Sequence, residues 1–180
     1  SAGALKGGLG SVSAISDDGL EVGALMIANP MGSVVMGDTP TFWAWAFERD
    51  GELGGQKPPA AALSDLDFHT AGGLAAQTTI GVVATSTALD VVQAKRIAMM
   101  AHDGFARAIR PVHTPFDGDT IFVLSTGKHP LTDPVPAAIA RIGMMAADCV
   151  ARAIARAVYE AETLGEFRSY RDTNGVTTGD

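Results

Sequence analysis

The sequence has one cysteine, few aromatic side chains and no long apolar run. Cys149 therefore has no partner for an intramolecular disulfide, and the cysteine content gives no indication of an oxidising compartment. No apolar stretch reaches the length of a bilayer-spanning helix, so we expect no membrane partner. Together these absences predict a cytoplasmic protein.

Basic residues are scarce as well. The 13 Lys and Arg residues are outnumbered by 20 Asp and Glu residues, which leaves a net charge of −7. A nucleic-acid-binding domain needs a clustered basic face, so we expect no nucleic-acid partner. The 180 residues are 47% hydrophobic and only 18% charged, which indicates one globular domain with a sizeable core. The first residue is not Met and residues 1–8 do not resemble a signal peptide, which favours a processed product or a fragment.

Common metal and nucleotide motifs are also missing. The four histidines lack the spacing of a His-Glu-x-x-His zinc site, and Gly7-Gly8-Leu9-Gly10 lacks the Lys-Ser/Thr ending of a phosphate loop. We therefore predict no cofactor and no metal. We interpret His102 and His113 as structural hydrogen-bonding residues, and Cys149, on an apolar helical stripe, as a core residue.

Periodicity predicts an α+β chain in which helices cover a largely antiparallel sheet. Short β-branched and apolar runs predict strands at residues 20–28, 41–47, from about 80, and 120–125. Apolar residues at steps of three or four predict helices from Asp90 to about Ile109 and from Asp133 to about Leu164. We interpret three segments as irregular: a glycine-rich linker or loop at 1–13, a long loop at 49–76 and a polar tail at 167–180.

Gln77 and Thr78 stand at the start of one predicted strand. If the chain were cut between them, Thr78 would carry a hydroxyl nucleophile and a free α-amine that can serve as its base. The alternative is a loop that enters a core strand, with Thr78 and Thr79 present for their β propensity. The local residues do not decide between the two.

The loop Asp117-Gly118-Asp119-Thr120 places two carboxylates just before another predicted strand. It has three interpretations: a plain Asp-Gly turn, a calcium loop, or an acidic pair that orients a nucleophile or a substrate amine. The calcium interpretation lacks the further acidic ligands and the closing Glu of an EF-hand. Asn29 is either an oxyanion donor or a residue that ends a strand, and Lys6 is by default a solvated charge.

Six segments together carry a family resemblance: Leu5-Lys6-Gly7-Gly8-Leu9-Gly10-Ser11, Ala28-Asn29-Pro30-Met31-Gly32, Thr78-Thr79-Ile80-Gly81-Val82-Val83-Ala84-Thr85, Ala101-His102-Asp103-Gly104-Phe105-Ala106-Arg107, Pro111-Val112-His113-Thr114 and Asp117-Gly118-Asp119-Thr120. Their order and spacing resemble the self-processing P1 (DmpA-like) family of N-terminal-nucleophile hydrolases, peptidase family S58. That family includes aminopeptidases and nylon-oligomer endohydrolases, and the threonine version with its Asp-Gly-Asp loop is most similar to the nylon-oligomer branch.

The resemblance implies a four-layer α-β-β-α sandwich and a precursor that cuts itself before the nucleophile. Residues 1–77 would be the end of one subunit segment and residues 78–180 the other, both within one domain of a tetramer-like homo-oligomer. Carried over by position, Thr78 is the nucleophile, Asn29 donates to the oxyanion, Asp117 and Asp119 orient the nucleophile or the substrate amine, and Lys6 lies nearby. The implied substrates are small peptides or amide oligomers such as those of 6-aminohexanoate.

Two departures keep other functions open. Gln77 stands where relatives typically have Asn or Gly, and family precursors extend well upstream of Lys6, where they supply sheet strands and an active-site tyrosine. One alternative is therefore an uncut or truncated, catalytically silent scaffold of the same fold. The other is a small-ligand or metal-binding module that uses the Asp-Gly-Asp loop.

Overall fold

The computed structural model describes residues 1–60 and 77–175. Its centre is a four-stranded sheet in the order β1-β2-β3-β4, in which β2 is antiparallel to both β1 and β3, and β4 is parallel to β3. This confirms the predicted α+β class and the largely antiparallel sheet. Most of the long loop expected at 49–76, and the end of the expected tail, lie outside the described residues. The strands are β1 (Gly8–Ile15), β2 (Glu21–Ala28), β3 (Ile80–Thr87) and β4 (Thr120–His129).

Four α-helices accompany the sheet within the described residues. The long α3 packs along β1 and β2, and α1 and α2 pack against α3. Asp90 caps α1 by accepting from the backbone N of Gln93, as its position before the apolar pattern predicts. The helices are α1 (Val91–Ala101), α2 (Asp103–Ala108), α3 (Val135–Tyr159) and α4 (Tyr170–Asn174).

The helix predicted from Asp90 to Ile109 is wrong in its continuity, because the chain turns at His102 between α1 and α2. The predicted end of α3 near Leu164 is also wrong, since the helix stops at Tyr159. Part of the predicted tail is the short α4, which Ser169 caps. The fully buried Tyr170 holds this segment in place, because its hydroxyl donates to the Pro40 carbonyl at 2.6 Å.

The strand predicted at 41–47 is a 3₁₀ helix, Trp43–Phe47. Phe42 makes one isolated bridge with Val35, and its ring packs against the rings of Tyr159 and Tyr170. The aromatic residues of this segment therefore do not indicate a strand. One of them, Phe42, packs the segment against α3 and α4.

The predicted glycine-rich linker at 1–13 is wrong in its second half, which forms β1. Small residues of β1 face α3, and Gly10 lies so close to the helix backbone that an added Cβ would stand 2.1 Å from the Ala153 carbonyl oxygen. Glycine composition concealed this strand, because glycine is the residue that permits such an approach of two backbones.

Gly10→Ala is expected to lower the free energy of unfolding by about 1–3 kcal/mol or more, because the new methyl group would push α3 away from the sheet. Thermal unfolding measures this as a fall of about 2–4 °C per kcal/mol. Gly23→Ala is the matched control, since its Cβ would meet nothing closer than 3.5 Å. Equal melting temperatures for the two variants would contradict the packing described here.

The sheet face opposite the helices is apolar and exposed. Ile27 pairs with both Leu9 and Ile80, so their side chains form a continuous row across three strands. A second row includes Leu25 of β2 and Phe122 of β4. These large side chains are 43–60% exposed, and in a four-layer sandwich this is the face against which a second sheet packs.

Candidate active site

The strand directions bring the three predicted site segments together at one end of the strands, which we call the site edge of the sheet. Asn29 follows the end of β2, Thr78 precedes β3, and the Asp-Gly-Asp loop precedes β4. Because β2 is antiparallel to β3 while β4 is parallel to it, these three points meet. The Thr78 backbone N donates to the Asn29 carbonyl at 3.0 Å, and Gln77 forms a parallel bridge with Asp117.

The Thr78 side chain lies against the peptide bond that precedes it. Its Oγ1 donates to the Gln77 carbonyl at 2.6 Å, and the side chain is partly accessible. Gly118 is the nearest loop residue, since a Cβ built there would stand 2.9 Å from this Oγ1. The Gln77 side chain is buried, and its Oε1 has no hydrogen-bond partner among the described residues. The hydroxyl is thus placed beside the carbonyl that self-cleavage would attack.

The Asp117 carboxylate links two loops by hydrogen bonds. Its Oδ1 accepts from the Met31 backbone N at 3.1 Å, while its Oδ2 accepts from the backbone N and the hydroxyl of Thr114 at 3.0 and 2.7 Å. Met31 lies two residues after Asn29, so one carboxylate links the segment that follows β2 to the loop that precedes β4. Asp117 therefore positions the loops that carry Asn29 and Gly118.

Asp119 orients the start of β3. Its side chain is 4% exposed, its Oδ1 accepts from the Thr79 backbone N at 2.9 Å, and its Oδ2 lies 2.8 Å from His113 Nδ1. A carboxylate that fixes the residue after Thr78 fixes the direction in which Thr78 points. Of the two loop carboxylates, Asp119 contacts the segment that begins at Thr78, and Asp117 contacts the segments around Met31 and Thr114.

Asn29 and Lys6 lie near the same edge. The Asn29 Oδ1 accepts from the Ser1 backbone N, and no acceptor within residues 1–60 and 77–175 pairs with its Nδ2. Lys6 precedes Gly7, whose backbone lies against the residue before Asn29, since a Cβ built on Gly7 would stand 2.1 Å from the Ala28 carbonyl oxygen. The Lys6 ammonium donates to the Gly7 carbonyl at 2.7 Å and, within the part of the chain that is described, makes no hydrogen bond to Thr78.

His113 and Thr114 also lie at the site. The sequence analysis interpreted His113 only as a structural hydrogen-bonding residue and gave Thr114 no individual role. His113 has a left-handed backbone (φ +51°), and its ring packs against the rings of His102 and Phe105. Burial, and then the neighbouring His113, lower the pKa of His102. Thr114 stands three residues before Asp117, a spacing typical of hydroxyl–carboxylate turns and the one signal that could have identified it.

Metal sites and membrane-spanning helices are both absent from the part of the chain that the structure describes. No group of three or more His, Cys, Asp or Glu side chains in 1–60 and 77–175 is arranged to hold a metal ion. No helix within those same ranges is both long and apolar enough to cross a bilayer.

Similar sequences are found in Mycobacterium and Agromyces. An uncharacterized aminopeptidase of Mycobacterium tuberculosis is 44% identical over 95% of this chain and 53% of its own length. A 6-aminohexanoate-oligomer endohydrolase of Agromyces is 27% identical over 58% of this chain and 29% of its own length. The chain thus spans about half the length of the mycobacterial relative that it matches.

A solved structure shares the fold. The L-aminopeptidase D-Ala-esterase/amidase of Ochrobactrum anthropi, described as a variant of the Ntn-hydrolase fold, matches 94% of this chain and 45% of its own. The TM-score is 0.55 at 22% identity. A sequence model described as peptidase family S58 matches residues 1–171. With the match running from Ser1 through β1, the Thr78 segment and α3, the chain belongs to peptidase family S58.

Proposed function

We propose that the protein is an amide-bond hydrolase whose nucleophile is Thr78, freed as an N-terminal residue by self-cleavage after Gln77. The observation that carries this proposal is the 2.6 Å contact between Thr78 Oγ1 and the Gln77 carbonyl, next to Asn29 and the Asp-Gly-Asp loop. The resemblance to N-terminal-nucleophile hydrolases and the membership in a peptidase family support the same chemistry.

After cleavage, the Thr78 α-amine acts as the general base. An α-amine has a reference pKa of about 7.7–8.0, so near neutrality a useful fraction is unprotonated and can accept the hydroxyl proton. Oγ1 then attacks the substrate carbonyl, the amine of the substrate leaves with that proton, and water hydrolyses the acyl-enzyme. Asn29 Nδ2, which has no acceptor among the described residues, donates to the oxyanion.

Neighbouring residues hold these groups in position. Asp119 holds the Thr79 backbone N, and Asp117 holds the Met31 backbone N two residues after Asn29. Lys6, whose ammonium donates to the Gly7 carbonyl, adds a positive charge near the Ala28–Asn29 segment, where it favours a developing negative charge. None of these roles requires a metal or an organic cofactor.

The proposed substrates are short peptides or linear amide oligomers. This proposal is supported by the names of the relatives above, which are an uncharacterized aminopeptidase, an L-aminopeptidase D-Ala-esterase/amidase and a 6-aminohexanoate-oligomer endohydrolase. We further propose that the exposed apolar sheet face packs against a second sheet and that the processed protein assembles as a cytoplasmic homo-oligomer.

Intact mass and N-terminal sequencing of the purified full-length protein test the proposal. We expect a fragment that begins at Thr78 and remains bound to the fragment that ends at Gln77. The pair should then hydrolyse aminoacyl-nitroanilides, β-peptides or 6-aminohexanoate oligomers. A chain that stays uncut after prolonged incubation and hydrolyses none of them would leave only the silent scaffold.

A further inference from the structure

The Gln77 carbonyl oxygen has two hydrogen-bond donors among the described residues. One is Thr78 Oγ1 at 2.6 Å and the other is the Gly118 backbone N at 3.0 Å. In self-cleavage the hydroxyl is the attacking group, so its proton leaves as the new bond forms and it no longer stabilises the carbonyl oxygen. The Gly118 N–H is then the donor that remains on this oxygen.

We propose that the Gly118 backbone N–H is the oxyanion donor of self-cleavage, a different group from the Asn29 amide that serves substrate hydrolysis. This inference rests on the proposed function and adds to it the group that catalyses maturation. The 3.0 Å separation lies within the 2.7–3.1 Å range of effective oxyanion donors.

The Gly118 N–H is held in place before any reaction. The Gln77 backbone N donates to the Phe116 carbonyl at 3.3 Å, so Gln77 and the loop are paired in both directions. The preceding Asp117 carboxylate accepts from Met31 and Thr114, which fixes the peptide unit that contains the Gly118 nitrogen. A donor fixed in this way costs no reorganisation when charge develops.

The identity of residue 118 is consistent with this role. A Cβ at this position would stand 2.9 Å from Thr78 Oγ1, closer than side-chain carbons normally come to an oxygen. A side chain at residue 118 would therefore displace the Thr78 hydroxyl, whereas glycine lets the loop backbone and this hydroxyl lie side by side. The close approach is an observation separate from the hydrogen bond, and both place the loop backbone on the reacting atoms.

The bond changes in self-cleavage balance with water as the co-reactant. Thr78 Oγ1 adds to the Gln77 carbonyl carbon, and the carbonyl oxygen becomes an oxyanion beside the Gly118 N–H. The carbon–nitrogen bond to Thr78 then breaks, and the proton from the hydroxyl ends on the nitrogen. The product is an ester between Gln77 and Thr78 Oγ1 with a free α-amine. Water hydrolyses this ester to the Gln77 carboxylic acid and restores the Thr78 hydroxyl.

The test removes this single N–H without adding an atom. Glycolic acid in place of Gly118, introduced by semisynthesis into the full-length chain, replaces the amide nitrogen with an ester oxygen. The matched control is the corresponding ester at Thr120, whose backbone N donates to the Thr79 carbonyl at 3.1 Å in the same ladder. Mass spectrometry follows the appearance of the fragment that begins at Thr78 and distinguishes it from hydrolysis of the introduced ester.

We expect the Gly118 ester to slow self-cleavage on the order of 10²–10³-fold and the Thr120 ester to change it only a few-fold. Equal slowing by both esters would show that the bond only supports the ladder and would overturn the inference. Unchanged cleavage of the Gly118 ester would overturn it too, while leaving Thr78 as the nucleophile. Failure of the unmodified protein to cleave would instead refute the proposed function and, with it, this inference.

Discussion

Thr78→Ala is expected to abolish both self-cleavage and amide hydrolysis. The substitution removes Oγ1, the hydroxyl oxygen that lies 2.6 Å from the Gln77 carbonyl oxygen and that the proposed mechanism uses as nucleophile. Loss of a nucleophile typically reduces kcat on the order of 10⁶, which brings the rate to background. Gel electrophoresis should show one uncut chain, and assays with aminoacyl-nitroanilides should show no release of nitroaniline.

Two companion variants make this result specific. Thr78→Ser keeps a hydroxyl and should still cleave, although more slowly if the methyl group helps to orient Oγ1. Thr79→Val is the matched neighbour, since the Thr79 hydroxyl is fully buried and has no partner among the described residues. It should mature normally. Full activity of Thr78→Ala, or loss of cleavage in Thr79→Val alone, would contradict the assignment of Thr78.

Asn29→Ala is expected to reduce kcat for substrate hydrolysis on the order of 10²–10³ while KM changes little, because the lost Nδ2 acts on the transition state. Self-cleavage should be much less affected, because the Gln77 carbonyl already accepts from the Gly118 N. The two reactions of one nucleophile would then respond differently to one substitution. Gel electrophoresis of samples quenched at successive times measures self-cleavage, and steady-state assays on the same preparation measure substrate hydrolysis.

Asn29→Asp provides the shape-matched control. It keeps an oxygen in place of Oδ1, which accepts from the Ser1 amine, but it has no N–H to donate to an oxyanion. It should therefore lose as much hydrolysis as the alanine variant. Equal losses in cleavage and hydrolysis would indicate that Asn29 acts on folding of the site rather than on the substrate oxyanion.

Strand order and polarity explain the position of the site, although the sequence patterns predicted only a largely antiparallel sheet and not the parallel pairing of β3 with β4. A residue after β2 and residues before β3 and β4 meet wherever β2 is antiparallel to β3 and β4 is parallel to it, and the structure brings Asn29, Thr78 and Asp117 together in this way. The family resemblance led to the same residues, and the family itself is confirmed. The catalytic roles of these residues stay predictions.

Features that depend on backbone contact were not predictable. The first strand was interpreted as a linker because Gly8 and Gly10 indicate flexibility in isolation, whereas their role is to let α3 approach the sheet. Tyr170 stabilises a segment interpreted as a tail, because a single buried ring outweighs the polar residues around it. The hydrogen bond from Gly118 to the Gln77 carbonyl was missed for the same reason. Its donor is a main-chain N–H, which every residue except proline carries, so the residue type does not reveal it.

The Asp117 carboxylate, which holds Met31 on one side and Thr114 on the other, is already in place while the Gln77–Thr78 peptide bond is intact. Under the proposed mechanism the loops that carry Asn29 and Gly118 are therefore in position before cleavage, and activation requires the loss of one covalent bond with no rearrangement of these two loops. Under this mechanism the delay between folding and activity would be set by a first-order reaction within each molecule. Its rate would depend neither on the protein concentration nor on an activating partner.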